Sequence, residues 1–173
     1  MSITTIVTIV LSISFLVVGI FLIQRISKSA TSVVDLTDQQ MREQINKLFS
    51  EDTKLVIYPE TDTIPIKQEA VGGVGIGIKN LLTGASGSST FSYTVVATDV
   101  ADCGVTTAQA EAWIVTGKTD SSIAIASGDL YSTKVLYSIP VGAPLCVAKY
   151  RVNVNAGSTP YATASFNIQI QAK

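Results

Sequence analysis

Cys103 and Cys146 are the residues of this chain best suited to covalent chemistry, and they are its two cysteines. An even count in a Ser/Thr-rich region downstream of a hydrophobic segment reads as one disulfide formed in an oxidising compartment. Two buried free thiols are the other reading. Histidine is absent, which removes the commonest general base and the commonest metal ligand together. The many Ser and Thr hydroxyls therefore have no partner base, the lysines are scattered, and no nucleophile constellation emerges. Carboxylates pair as Glu51 with Asp52, Glu60 with Asp62, and Asp99 with Asp102. Such pairs serve catalysis or calcium in other settings, but no EF-hand spacing is present here. The stretch GGVGIG, Gly72 to Gly77, lacks the strand-to-helix context of a dinucleotide loop, since a strand-like IGIKN follows it. Alternating glycine in a strand instead marks close backbone approach or a bulge. No catalytic, cofactor-binding or metal residue is assigned, and neither a cofactor nor a small-molecule substrate is expected.

The balance of residues narrows the partners. Charged residues make up only 14% of the chain and the net charge is −1. Nucleic acid is excluded as a partner, because neutralising phosphates needs grouped Lys and Arg. No Asn-x-Ser/Thr sequon occurs, so N-glycosylation is not expected. Trp113 lies in an alternating run and is expected between two sheets.

The opening MSITTIVTIVLSISFLVVGIFLIQ carries no charge from Ile3 to Ile23. As a helix, a run of about 21 residues covers about 31 Å, the thickness of a bilayer core. It lacks the basic n-region and cleavage site of a secretory signal, and is expected in the mature protein. Ser, Thr and Gly19 are interspersed in it, and small or hydroxylated residues let helices approach closely. An assembly face of Ile3, Ile6, Val10, Ile13, Val17, Gly19 and Ile20 follows. Arg25 and Lys28 come next and, by the positive-inside rule, place the remainder in the cytoplasm. The disulfide places it outside. The conflict dissolves if both cations pair with Asp35 or Asp38 of neighbouring copies.

After this run, Met41, Ile45, Leu48 and Phe49 share one helical face. Thr37 with Gln40 forms a capping box, and Leu36 with Met41 a hydrophobic staple, so a helical segment begins at about Asp38. The segment from Ala30 to Val34 is either a break or a weak stretch in one helix of about 73 Å from Ser2 to Ser50. From Lys54 onward the pattern is β: LVIYPE, TIPIKQ, GVGIGIKN, STFSYTVVAT, AQAEAWIVTG, KVLYSIP, LCVAKYRVNVN and TASFNIQIQAK. No helix signal is read among them. The expected fold class is α+β: a long hydrophobic N-terminal α-helix, then an all-β antiparallel sandwich. The boundaries are 1–50 for the helix and 54–173 for the sandwich.

This order of elements resembles archaeal type IV pilins and archaellins. The phrase SIPVGAPLCVAKYRVNV is similar to a proline-loop-strand phrase of immunoglobulin-like domains in archaeal surface proteins. Thr5 stands where bacterial type IV pilins carry an acidic residue, which fits the archaeal branch. The resemblance implies a non-enzymatic, helical filament of identical subunits at the cell surface. Hydrophobic helices would bundle in its core, with immunoglobulin-like domains outside, serving adhesion, cell contact or motility. It also implies membrane insertion through the N-terminal helix before assembly. The alternative is a single-pass, membrane-anchored surface protein displaying a binding domain.

Overall fold

The computed structural model describes residues 12–17, 33–83 and 90–173. The chain divides into two compact units, Met1–Thr31 and Ser32–Lys173. In the first, residues 12–17 are helical, and Ile13 and Val17 are exposed there. The other residues expected on the assembly face (Ile3, Ile6, Val10, Gly19, Ile20), together with Arg25 and Lys28, lie outside the described residues.

The second unit is mainly β. Its strands are β1 (Leu55–Tyr58), β2 (Thr63–Lys67), β3 (Val71–Lys79), β4 (Thr90–Asp99), β5 (Ile114–Thr116), β6 (Thr119–Ala124), β7 (Leu130–Ser138), β8 (Val147–Ala156) and β9 (Thr159–Gln171). Two helices accompany them, α1 (Asp38–Leu48) and α2 (Thr107–Glu111), with a 3-10 turn at Ala101–Cys103. One sheet has the order β1-β3-β7-β5, the other β2-β9-β8-β4-β6. Pairing is antiparallel except between β2 and β9, which run parallel, Ile64 opposite Ile168 and Ile66 opposite Ile170.

Alternation builds the core. In β8, Tyr150, Val152 and Val154 are buried while Arg151 faces water; in β9, Phe166, Ile168 and Ile170 do the same. From the facing sheet come Val74, Ile76, Ile78, Val135 and Tyr137. Tyr137 meets Tyr150 edge-on with centroids 5.1 Å apart, and Tyr150 stacks on Phe166 at 5.8 Å.

Strand β3 is buried on both faces. Its outward residues are glycines, and α1 lies over them. A Cβ at Gly75 would stand 3.1 Å from Ile45 Cδ1 and 3.3 Å from Met41 Sδ. Glycine therefore sets how closely the helix approaches the sheet. Met41, Ile45 and Val33 form a second small core there, with Leu36, Phe49 and Val56 around it. Each such buried apolar side chain contributes about 1.5–3 kcal/mol.

These observations correct the expected fold class. The long hydrophobic N-terminal helix is not among the described elements, and the chain is mainly β rather than α+β. Residues 33–36 form a turn and bend, and Thr37 is extended at φ −65°, ψ 157°. It caps a fresh helix: its hydroxyl accepts from Gln40 N at 3.3 Å, and Gln40 Oε1 accepts from Thr37 N at 3.1 Å. A continuous helix from Ser2 to Ser50 is thereby ruled out. Among the described residues no helix is long and apolar enough to cross a membrane. The expected transmembrane helix, and the membrane insertion that placed the protein at the cell surface, are therefore not supported. The helix expected in residues 1–50 instead has its described amphipathic part folded onto the sandwich.

Candidate functional site

Cys103 and Cys146 are joined, with their Cα atoms 5.1 Å apart. Cys103 ends the 3-10 turn and Cys146 precedes β8, so the bond ties the β4–β5 connection to the β7–β8 connection. Between these connections lies a groove of about 570 Å³. One wall carries Val105, Gln109 and Trp113, the other Pro140, Val141 and Pro144. Two of its lining residues are apolar and well exposed, Val141 at 77% and Val115 at 57%.

Local chemistry explains the walls. Thr106 and Gln109 form a second capping box, Thr106 N donating to Gln109 Oε1 at 2.8 Å and Gln109 N to Thr106 Oγ1 at 3.2 Å. That box starts α2, where a strand was expected through AQAEAWIVTG; only Ile114–Thr116 of that run is β. Trp113 sits in the core between the sheets, 7% exposed, with one side lining the groove. The Tyr150 hydroxyl holds α2 by donating to Ala110 O at 2.9 Å. The opposite wall turns through Ala143 N donating to Pro140 O, and Gln68 Nε2 donates to Ala143 O. The exposed Val115 and Val141 were not singled out in the sequence. The signal for Val141 is the proline-bracketed apolar run PVGAPL.

The other candidates fare as follows. GGVGIG is strand β3 beneath α1, and that cover leaves no loop for a phosphate. Glu51, Asp52, Glu60, Asp62, Asp99 and Asp102 are all exposed. Asp99 Oδ1 accepts from Ala101 N at 3.2 Å, a local turn bond. Among the described residues no group of three or more His, Cys, Asp or Glu stands together to hold a metal. Asp35 is exposed; Asp38 pairs with Lys134 of the same chain at 3.1 Å, its side chain still 88% exposed. Lys134 Nζ also donates to Leu36 O, which ties the start of α1 to β7.

The perturbed groups are phenols. Burial pushes Tyr93, Tyr137 and Tyr150 above their ordinary 10.0. Burial, reinforced by its hydrogen bond to Asp120, pushes Tyr131 to about 12. These groups lie in or beside the sandwich core, and burial keeps their hydroxyls neutral.

No known protein family and no curated protein matches the chain. Among solved structures it is similar to the Pseudomonas fluorescens alkylpurine DNA glycosylase AlkC bound to DNA containing an abasic site analog. The identity is 9% and the TM-score 0.37, over 67% of this chain and 30% of that one. It is also similar to a β-glucosidase from Listeria innocua, at 11% identity and TM-score 0.38, over 69% of this chain and 16% of that one. The chain thus spans less than a third of either protein, and similarity at this level carries no argument about its chemistry.

Proposed function

We propose that this protein is a structural subunit of a cell-surface filament, similar to those built from type IV pilins, and not an enzyme. One observation carries the reading: an uncharged apolar run from Ile3 to Ile23 stands ahead of a sandwich that carries the Cys103–Cys146 disulfide. Apolar surface gains about 25 cal/mol per Å² when removed from water. Identical copies meet that demand by burying their runs against one another. Contacts between unlike surfaces of identical copies that do not close generate an open helical array, which is a filament. The disulfide suits an oxidising exterior. Adhesion, cell contact or motility would be the role of such a filament.

Electron microscopy of the full chain purified without detergent, and of material sheared from cells, tests this. Antibody against the sandwich should decorate long filaments of uniform width. A monodisperse monomer in detergent-free buffer, with no labelled filaments in the sheared material, would sink the reading.

A further inference from the structure

We propose that the Cys103–Cys146 bond is the clasp of the apolar groove: it holds the two walls at a fixed spacing, and the sandwich itself does not need it to fold. The geometry behind this is local. One wall begins just after Cys103, with Val105 and then α2; the other ends at Pro144, two residues before Cys146. The bond therefore crosses between the walls where both are rooted. Away from it the walls have separate fastenings. The Trp113 end is held by Ser138 N donating to Trp113 O at 2.8 Å, and the far wall by Ile139 N donating to Ala70 O at 3.2 Å. Cys146 itself stays fixed to β9, its carbonyl accepting from Ile170 N at 2.8 Å. The Cys103 side has less: the hydrogen bonds of its turn, Cys103 N to Val100 O and Gly104 N to Ala101 O, are internal to the turn. Cutting the bond thus frees the turn from Ala101 to Val105, while α2 stays held by the Tyr150 hydroxyl through Ala110 O and the sheets stay paired. This inference is independent of the filament reading.

A dithiol reductant cuts the bond by exchange. It gives up two electrons and two protons, leaves two cysteine thiols, and closes into its own cyclic disulfide. Both cysteines are buried, so reagent access is slow, and the double variant Cys103→Ser/Cys146→Ser of the full chain supplies the same state without a reagent.

Two readouts apply. Trp113 is the sole tryptophan, so quenching of its emission by acrylamide reports the groove directly. Amide hydrogen exchange separates the walls from the sheets. The expected result is a several-fold rise in Trp113 quenching and several-fold faster exchange over 101–105, with α2, β3, β8 and β9 protected as before. Unchanged quenching and unchanged exchange over 101–105 would overturn the proposal. So would loss of protection across all strands together, because the bond would then be a staple of the whole fold.

Discussion

A methyl group at Gly77 would run into Ile45 Cγ2 and stand 2.9 Å from both Phe49 Cε2 and Val56 Cγ2. No single neighbour can yield without moving α1 or β1. Gly77→Ala should therefore cost about 1–3 kcal/mol, the usual range for overpacking, read as a lower urea midpoint at unchanged slope. Gly117→Ala should cost more. Its φ is +77°, and the new Cβ would collide with the Lys134 carbonyl, which is backbone and cannot rotate away. The phenols give a residue-scale prediction of a different kind. Tyr131 is held neutral up to about 12 against its ordinary 10.0, and Tyr93, Tyr137 and Tyr150 shift the same way. Between those values the unfolded chain has lost protons that the folded chain keeps. Stability is thus fully present below about pH 10 and falls as pH rises through about 12. Urea unfolding at about pH 9 and about pH 11.5 should show the drop. Tyr131→Phe should make it smaller; an equal drop in that variant would remove Tyr131 as a cause.

At the scale of elements, the two capping boxes invite a paired test. Thr37→Ala and Thr106→Ala each remove a hydroxyl that satisfies an N-terminal amide, and each should cost about 0.5–2 kcal/mol by denaturant unfolding. The Thr106 variant should in addition speed exchange at the amides of α2. The same boxes show why some elements were legible in the sequence and others were not. Thr37 and Gln40 precede a clean helical stripe of Met41, Ile45 and Leu48, so start and face agreed. Thr106 and Gln109 have the same spacing, but the alanines after them alternate with Gln and Glu as a strand does, and α2 spans only five residues. Strand β6 hid for another reason. Thr119–Ala124 is mostly polar because it is an edge strand, and Ser122 at φ 64° breaks its period. The parallel β2–β9 pair joins residues just over a hundred positions apart, a partnership that no local pattern encodes. The disulfide was legible because a pair of cysteines leaves one way to pair. The groove was not, since Val115 and Val141 become one surface only after two distant connections meet.

For the molecule as a whole, the decisive boundary falls at residue 32 rather than in the low fifties. Sequence pattern placed α1 with the apolar run, because both are helical in period. Packing places it with the sandwich: Val33, Met41 and Ile45 are buried over the glycine face of β3, and Lys134 binds both Asp38 and Leu36 O. Two truncations separate these views. A chain starting at residue 32 keeps every described contact of the second unit, and should unfold cooperatively with a stability close to that of the full chain. A chain starting at residue 51 loses α1, exposes Gly75 and Gly77, and leaves Val56 and Phe49's former site uncovered. Truncating one buried Met or Ile to Ala typically costs about 2–5 kcal/mol, and here two such side chains leave together. Against a total of about 5–15 kcal/mol for a domain, the shorter fragment should be largely unfolded at room temperature. Circular dichroism with urea melts of both fragments reads this directly. Equal stability would mean that α1 is an ornament on the sandwich, and its burial over β3 would need another explanation. If the longer fragment is also monomeric where the full chain forms filaments, assembly resides in the first unit, and the sandwich serves as the wall.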